Sequence, residues 1–62
     1  MHLERALQSN REIGVAMGIL MAQQRCTREE AFEQLSTASQ KLNRRLRDIA
    51  EEVGHTGALP AS

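Results

Sequence analysis

Tryptophan and tyrosine are absent and Phe32 is the only aromatic residue, which excludes an RNA-binding sheet that stacks bases on exposed rings. Cys26 is the lone cysteine, so the chain can form neither an intrachain disulfide nor a cysteine-rich zinc site. The histidines, His2 and His55, stand near opposite ends, and no metal or other cofactor is expected. Eight basic and eight acidic residues cancel to a formal net charge of zero, which argues against indiscriminate binding to polyanions. No apolar run approaches the roughly 20 residues a membrane span requires, and no secretory signal pattern is present. A reduced, cytoplasmic setting is therefore expected. At 62 residues the chain is one small domain at most, of a size that buries only about 60% of its unfolded surface. With disulfide and metal excluded, a second subunit is the remaining staple.

What the chain does have is Ile13 to Ala22, ten residues without a charge inside an otherwise polar helical pattern. At 100° per residue one apolar stripe runs through Leu3, Ala6, Leu7, Ile13, Met17, Leu20 and Met21, and Asn10 and Gln24 fall on it. A second contains Val15, Ile19, Ala22 and Cys26. Two stripes on one helix suggest two tasks, packing against the chain's own later helices and packing against another molecule.

The first helix is expected from Leu3 to about Arg25. Thr27-Arg-Glu-Glu30 is a capping-box sequence that starts a second, with Ala31, Phe32, Leu35 and Ala38 as its buried side. Leu46, Ile49, Ala50 and Val53 then give a third helix at i, i+3, i+4, i+7. Ser39 and Asn43 both suit its cap; Asn43 is favoured, which makes Ser39 to Leu42 a bend. Gly54 is the natural stop, so residues 1–54 form the domain and 55–62 a flexible tail. The fold class is all-α, a three-helix bundle with a long first helix.

Charge in the third helix runs against its dipole. Starting after Asn43, it would carry Arg44, Arg45 and Arg47 at its positive end and Glu51 and Glu52 at its negative end, each misplaced charge costing about 0.3 to 1 kcal/mol. An anion at the helix start would offset that cost, and phosphate suits both free amides and arginine forks. The competing reading pairs Arg44 with Asp48 and Arg47 with Glu51 at i, i+4 as an ordinary solvated face. Gly14 and Gly18 have the small-xxx-small spacing that permits close helix approach. No nucleophile, acid or base assembles into an active site, so an enzyme is not expected.

Three blocks share an order and spacing with a known family. They are Arg11-x-Ile13-x-x-Ala16-Met-Gly18-Ile-Leu-Met21, Thr27-x-Glu-Glu30-Ala-Phe32-x-x-Leu35 and Ser39-x-x-x-Asn43-x-Arg45-Leu46-x-Asp48-Ile-Ala50. Over about residues 3–53 the chain closely resembles the ANTAR domain. The resemblance implies a three-helix module that binds hairpins in nascent messages as a transcription antiterminator. It also implies a bacterial regulator in which such a module follows a receiver or GAF sensor domain, this chain being an excised or very short output module. Arg11, Ser39, Asn43 and Arg45 match the family's polar positions and, with Arg44 and Arg47 of the basic cluster, form the candidate RNA-binding set. Met17 and Ser36 depart from a pattern that often carries Lys and Arg there, and both departures remove positive charge. A coiled-coil-like homodimer is expected through Leu3, Leu7, Asn10, Ile13, Met17 and Leu20, with Asn10 setting register. Two other readings stand beside RNA binding: a dimerisation or signalling module, and a helix-turn-helix DNA binder.

Overall fold

The computed structural model describes residues 3–60, with side chains from Asn10 onward. It consists of α1 (Leu3–Gln24), α2 (Arg28–Leu42) and α3 (Leu46–Thr56), an all-α three-helix arrangement as expected. Helix α1 ends where Arg25 turns into the left-handed region at φ 52°, a conformation that costs an L-residue about 1–2 kcal/mol and therefore interrupts helices. The capping box then starts α2: the Glu30 amide donates to Thr27 Oγ1 at 3.0 Å, and the Thr27 amide donates to Glu30 Oε1 at 2.8 Å.

The second junction differs from the expectation. Asn43 closes α2 instead of opening α3, so Ser39 to Leu42 is helix and not a bend. The physical reason is the apolar period of α2, which continues from Ala31 and Leu35 through Ala38 and Leu42 onto the core and keeps the chain helical to that point. Asn43 then adopts φ 54°, ψ 43°, a left-handed conformation that asparagine tolerates better than most residues.

Gly54 does not stop α3 either. The helix runs to Thr56, and the left-handed residue is Gly57 at φ 78°, whose amide donates to the Val53 carbonyl at 2.7 Å. Beyond it, Gln23 Nε2 donates to the Gly57 carbonyl at 2.6 Å and Leu59 packs on the edge of the core. His55 and Thr56 thus belong to α3, and Gly57 and Leu59 are tied to the bundle.

The core is formed by Ala16, Met17 and Leu20 of α1, Ala31 and Leu35 of α2, and Ile49, Ala50 and Val53 of α3. Each helix contributes one fully enclosed alanine, which lets the three approach closely. Ile19 and Cys26 pack against this core beside Ile13 and Met21. Half of the second stripe on α1 is therefore partly covered by the chain itself; Val15, at 51% exposure, and Ala22 remain exposed. Phe32, expected in the core, is 43% exposed, because Ala31 and Leu35 take the inward positions of α2. Of the residues expected at a dimer seam, Met17 and Leu20 are enclosed within the subunit at 8% and 1% exposure, leaving little of either to offer a partner. Asn10 is exposed and Ile13 half-buried, while the side chains of Leu3 and Leu7 lie outside the described set. A Cβ built on Gly14 or Gly18 meets nothing within 4 Å, so neither glycine serves a close helix contact within the subunit.

The two glycines near the end of α3 should respond oppositely to substitution. A Cβ at Gly54 also meets nothing within 4 Å, and Gly54→Ala should stabilise the domain by about 0.5–1 kcal/mol through helix propensity. Gly57→Ala should cost about 1–2 kcal/mol because of its positive φ. Urea unfolding of both variants checks this; equal shifts would show that α3 does not continue past Gly54.

Candidate nucleic-acid interface

The basic cluster falls on the α2–α3 turn, and two polar residues build that turn. The Asn43 amide donates to the Gln40 carbonyl at 3.3 Å, and the Arg44 amide donates to the Ser39 carbonyl at 3.0 Å. This is the paired bonding of a Schellman cap. A hydrophobic contact between Ser39 and Arg44 would usually accompany it; here the Ser39 hydroxyl donates instead to the Arg44 carbonyl. Both backbone polar atoms of Arg44 are thus held by Ser39.

Arg45 follows as the N-cap of α3, with extended backbone at φ −67°, ψ 144° and no side-chain hydrogen bond to the helix start. Its carbonyl accepts from the amides of Asp48 at 3.0 Å and Ile49 at 3.1 Å. The amides of Arg45, Leu46 and Arg47 find no protein acceptor among the described residues. Free amides and the positive end of the dipole make this an anion-favouring helix start.

The reversed dipole pattern is weaker than the sequence suggested. Arg44 lies ahead of the helix, Asp48 occupies its first turn and His55 its last, so only Arg45 at the N-cap and Arg47 in the first turn oppose the positive end. The expected i, i+4 pairs are also replaced. Arg44 Nη1 reaches Glu52 Oε1 at 2.8 Å, eight positions along the chain, and Arg47 Nε lies 4.0 Å from Asp48 Oδ1. Both pairs are well exposed, and exposed pairs contribute about 0–1 kcal/mol. Lys41 in the last turn of α2 and Arg45 make no ion pair among the described residues.

The six residues singled out from the sequence do not form one cluster. Ser39, Asn43, Arg44, Arg45 and Arg47 share the turn and the start of α3. Arg11 sits elsewhere, in an open groove between α1 and α3 with Val15, Ala50, Glu51, Gly54 and His55. It borders the carboxyl-terminal half of α3, about two turns from Arg47. Glu52 was missed as a partner of the basic cluster, since an eight-residue pairing is readable only once the start of α3 is known. Among the described residues no three His, Cys, Asp or Glu side chains gather as a metal site, and no helix is long and apolar enough to cross a membrane.

The comparison with protein families gives a match to the ANTAR domain over residues 1–53. No curated protein and no solved structure matches.

Because Asn43 is left-handed, its backbone and side-chain roles can be separated. Asn43→Gly should keep stability within a few tenths of a kcal/mol, whereas Asn43→Ala should lower it by about 1 kcal/mol or more. Thermal melts of the two variants test this; an Ala variant as stable as the Gly variant would mean that the backbone there is not left-handed.

Proposed function

The chain belongs to the ANTAR domain family, a regulatory family of RNA-binding antitermination modules, and we propose that it binds hairpins in nascent messenger RNA through its cationic α2–α3 turn. Binding would hold the message in a form that precludes the terminator. The observation that carries this reading is the coincidence of family membership with Arg45 and Arg47 flanking uncapped amides at the start of α3. Arginine forks and free amides together suit phosphate oxygens. Arg44 adjoins the same surface on release from Glu52, whereas Lys41 lies in the groove that α2 forms with Leu59 and Pro60. Arg11 would make a separate contact along the α1–α3 groove.

The module acts by binding and not by catalysis, in the bacterial cytoplasm, as the output of a regulator whose sensor is a receiver or GAF domain. It works as a homodimer. Support for the dimer comes from an open groove in which Asn10, Ile13 and Gly14 of α1 face Arg28, Glu29 and the exposed ring of Phe32 on α2. Leu3 and Leu7 would extend that seam along α1.

Hairpin titrations over a range of salt test the RNA reading. About three phosphate contacts on a single-stranded loop predict log K falling with log salt at roughly −2, and Arg45→Ala should reduce that slope by about 0.7. Equal or tighter binding to duplex DNA of the same charge would favour the helix-turn-helix alternative. Loss of no affinity in Arg44→Ala/Arg45→Ala at low salt would leave the dimerisation module as the better reading.

Sedimentation tests the dimer. Phe32→Asp, on the exposed wall of the groove, should give a folded monomer, whereas Leu20→Asp, which places a charge in the core, should unfold the domain. Wild-type protein that sediments as a folded monomer at roughly tens of micromolar, a range in which a specific homodimer should associate, would remove the seam.

A further inference from the structure

We propose that Ser39 is a positioning residue for RNA binding: it aims Arg45 by holding the peptide of Arg44 and makes no contact with RNA itself. The proposal rests on the reading that Arg45 meets a phosphate. The Arg44 carbonyl, which receives the Ser39 hydroxyl proton, belongs to the same planar peptide group as the Arg45 amide. Fixing the carbonyl therefore fixes the direction in which the first free amide of the turn points and the Cα from which the Arg45 side chain departs. The other end of Arg44 is fixed by the same residue, through its amide bond to the Ser39 carbonyl at 3.0 Å.

The chemistry of a hydroxyl also argues against direct phosphate contact. Serine has one O–H donor, and that donor is committed to the Arg44 carbonyl. The lone pairs left on Ser39 Oγ are acceptors, which a phosphate oxygen cannot use. Its backbone carbonyl already accepts from both Asn43 and Arg44. Ser39 is moreover half-buried, whereas Arg44 and Arg45 are exposed. A polar family position that looks like an RNA contact in the sequence is thereby a member of the turn's internal framework.

A double-mutant cycle separates aiming from touching. Hairpin affinity is measured at low salt for wild type, Ser39→Ala, Arg45→Ala and the double variant. Circular dichroism confirms helix content, and hydrogen exchange is followed at the Arg44 amide. Ser39→Ala should weaken binding roughly three- to tenfold, the factor expected for one lost hydrogen bond, and should speed exchange at Arg44 while the helices persist. In the Arg45→Ala background the same change should cost clearly less, since only the aiming of the residue's backbone amide is left to lose. Ser39→Thr, which keeps the hydroxyl, should restore wild-type affinity. Fully additive losses would mean that Ser39 meets RNA directly, and an unaltered Ser39→Ala affinity would mean that the hydroxyl aims nothing; either result overturns the proposal alone. Wild-type protein that binds no hairpin would instead fail the underlying reading, and the proposal with it.

Discussion

Everything in this domain depends on the burial of a small set of aliphatic side chains at the point where three helices meet. Leu20, Leu35, Ile49 and Val53 are the largest fully enclosed groups, and no aromatic ring joins them. At about 1.5–3 kcal/mol for each fully buried aliphatic side chain, such a core is modest against the ordering cost of the chain. That explains the attention given to helix ends. The reciprocal capping box at Thr27, the Schellman cap at Asn43 and the Gly57 cap each satisfy backbone groups that a small core could not carry unpaired. The paired amides of Gln24 and Gln34, at 2.9 and 2.7 Å, tie the end of α1 to α2 in the same way.

The second junction couples folding to the charged surface. The apolar period that draws α2 on to Leu42 also determines that Arg44 and Arg45 fall in the turn and not in a helix. Had α3 begun at Asn43, the arginines would have occupied successive helical positions and pointed in different directions around the axis. In the turn, Ser39 holds both backbone polar atoms of Arg44 and Glu52 engages its side chain, while Arg45 makes no ion pair among the described residues.

The helices themselves were legible because the signals that define them are local. Thr27 and Glu30 announce a start within four residues, and the spacing of Leu46, Ile49, Ala50 and Val53 identifies the inward face of α3. Junctions were less legible where one residue type serves two geometries. Asparagine caps either end of a helix, and only the continuation of α2 through Ala38 and Leu42 decides in favour of its carboxyl end. Gly54 was mistaken for a stop because a later glycine, Gly57, performs that task three residues on. Phe32 followed the apolar pattern of α2, yet the shorter Ala31 beside it takes the inward place. For the candidate site, the identity of the basic residues was visible in the sequence. The isolation of Arg11 in another groove and the pairing of Arg44 with Glu52 depend on how helices cross, which no local pattern encodes.

The three enclosed alanines, Ala16, Ala31 and Ala50, act as a gauge for the whole bundle. Interaxial distances follow the side chains at the contact, within about 8–10 Å, and an alanine adds only one methyl group to that spacing. A larger residue at Ala50 would push α3 outward as a rigid rod, because the helix is capped at Gly57 and held to α1 by Gln23. That displacement would be carried to Arg45 at the other end of α3 without altering any residue of the turn. The distance between the Arg11 groove and the α2–α3 turn is thus governed from the interior, by the smallest side chains in the core.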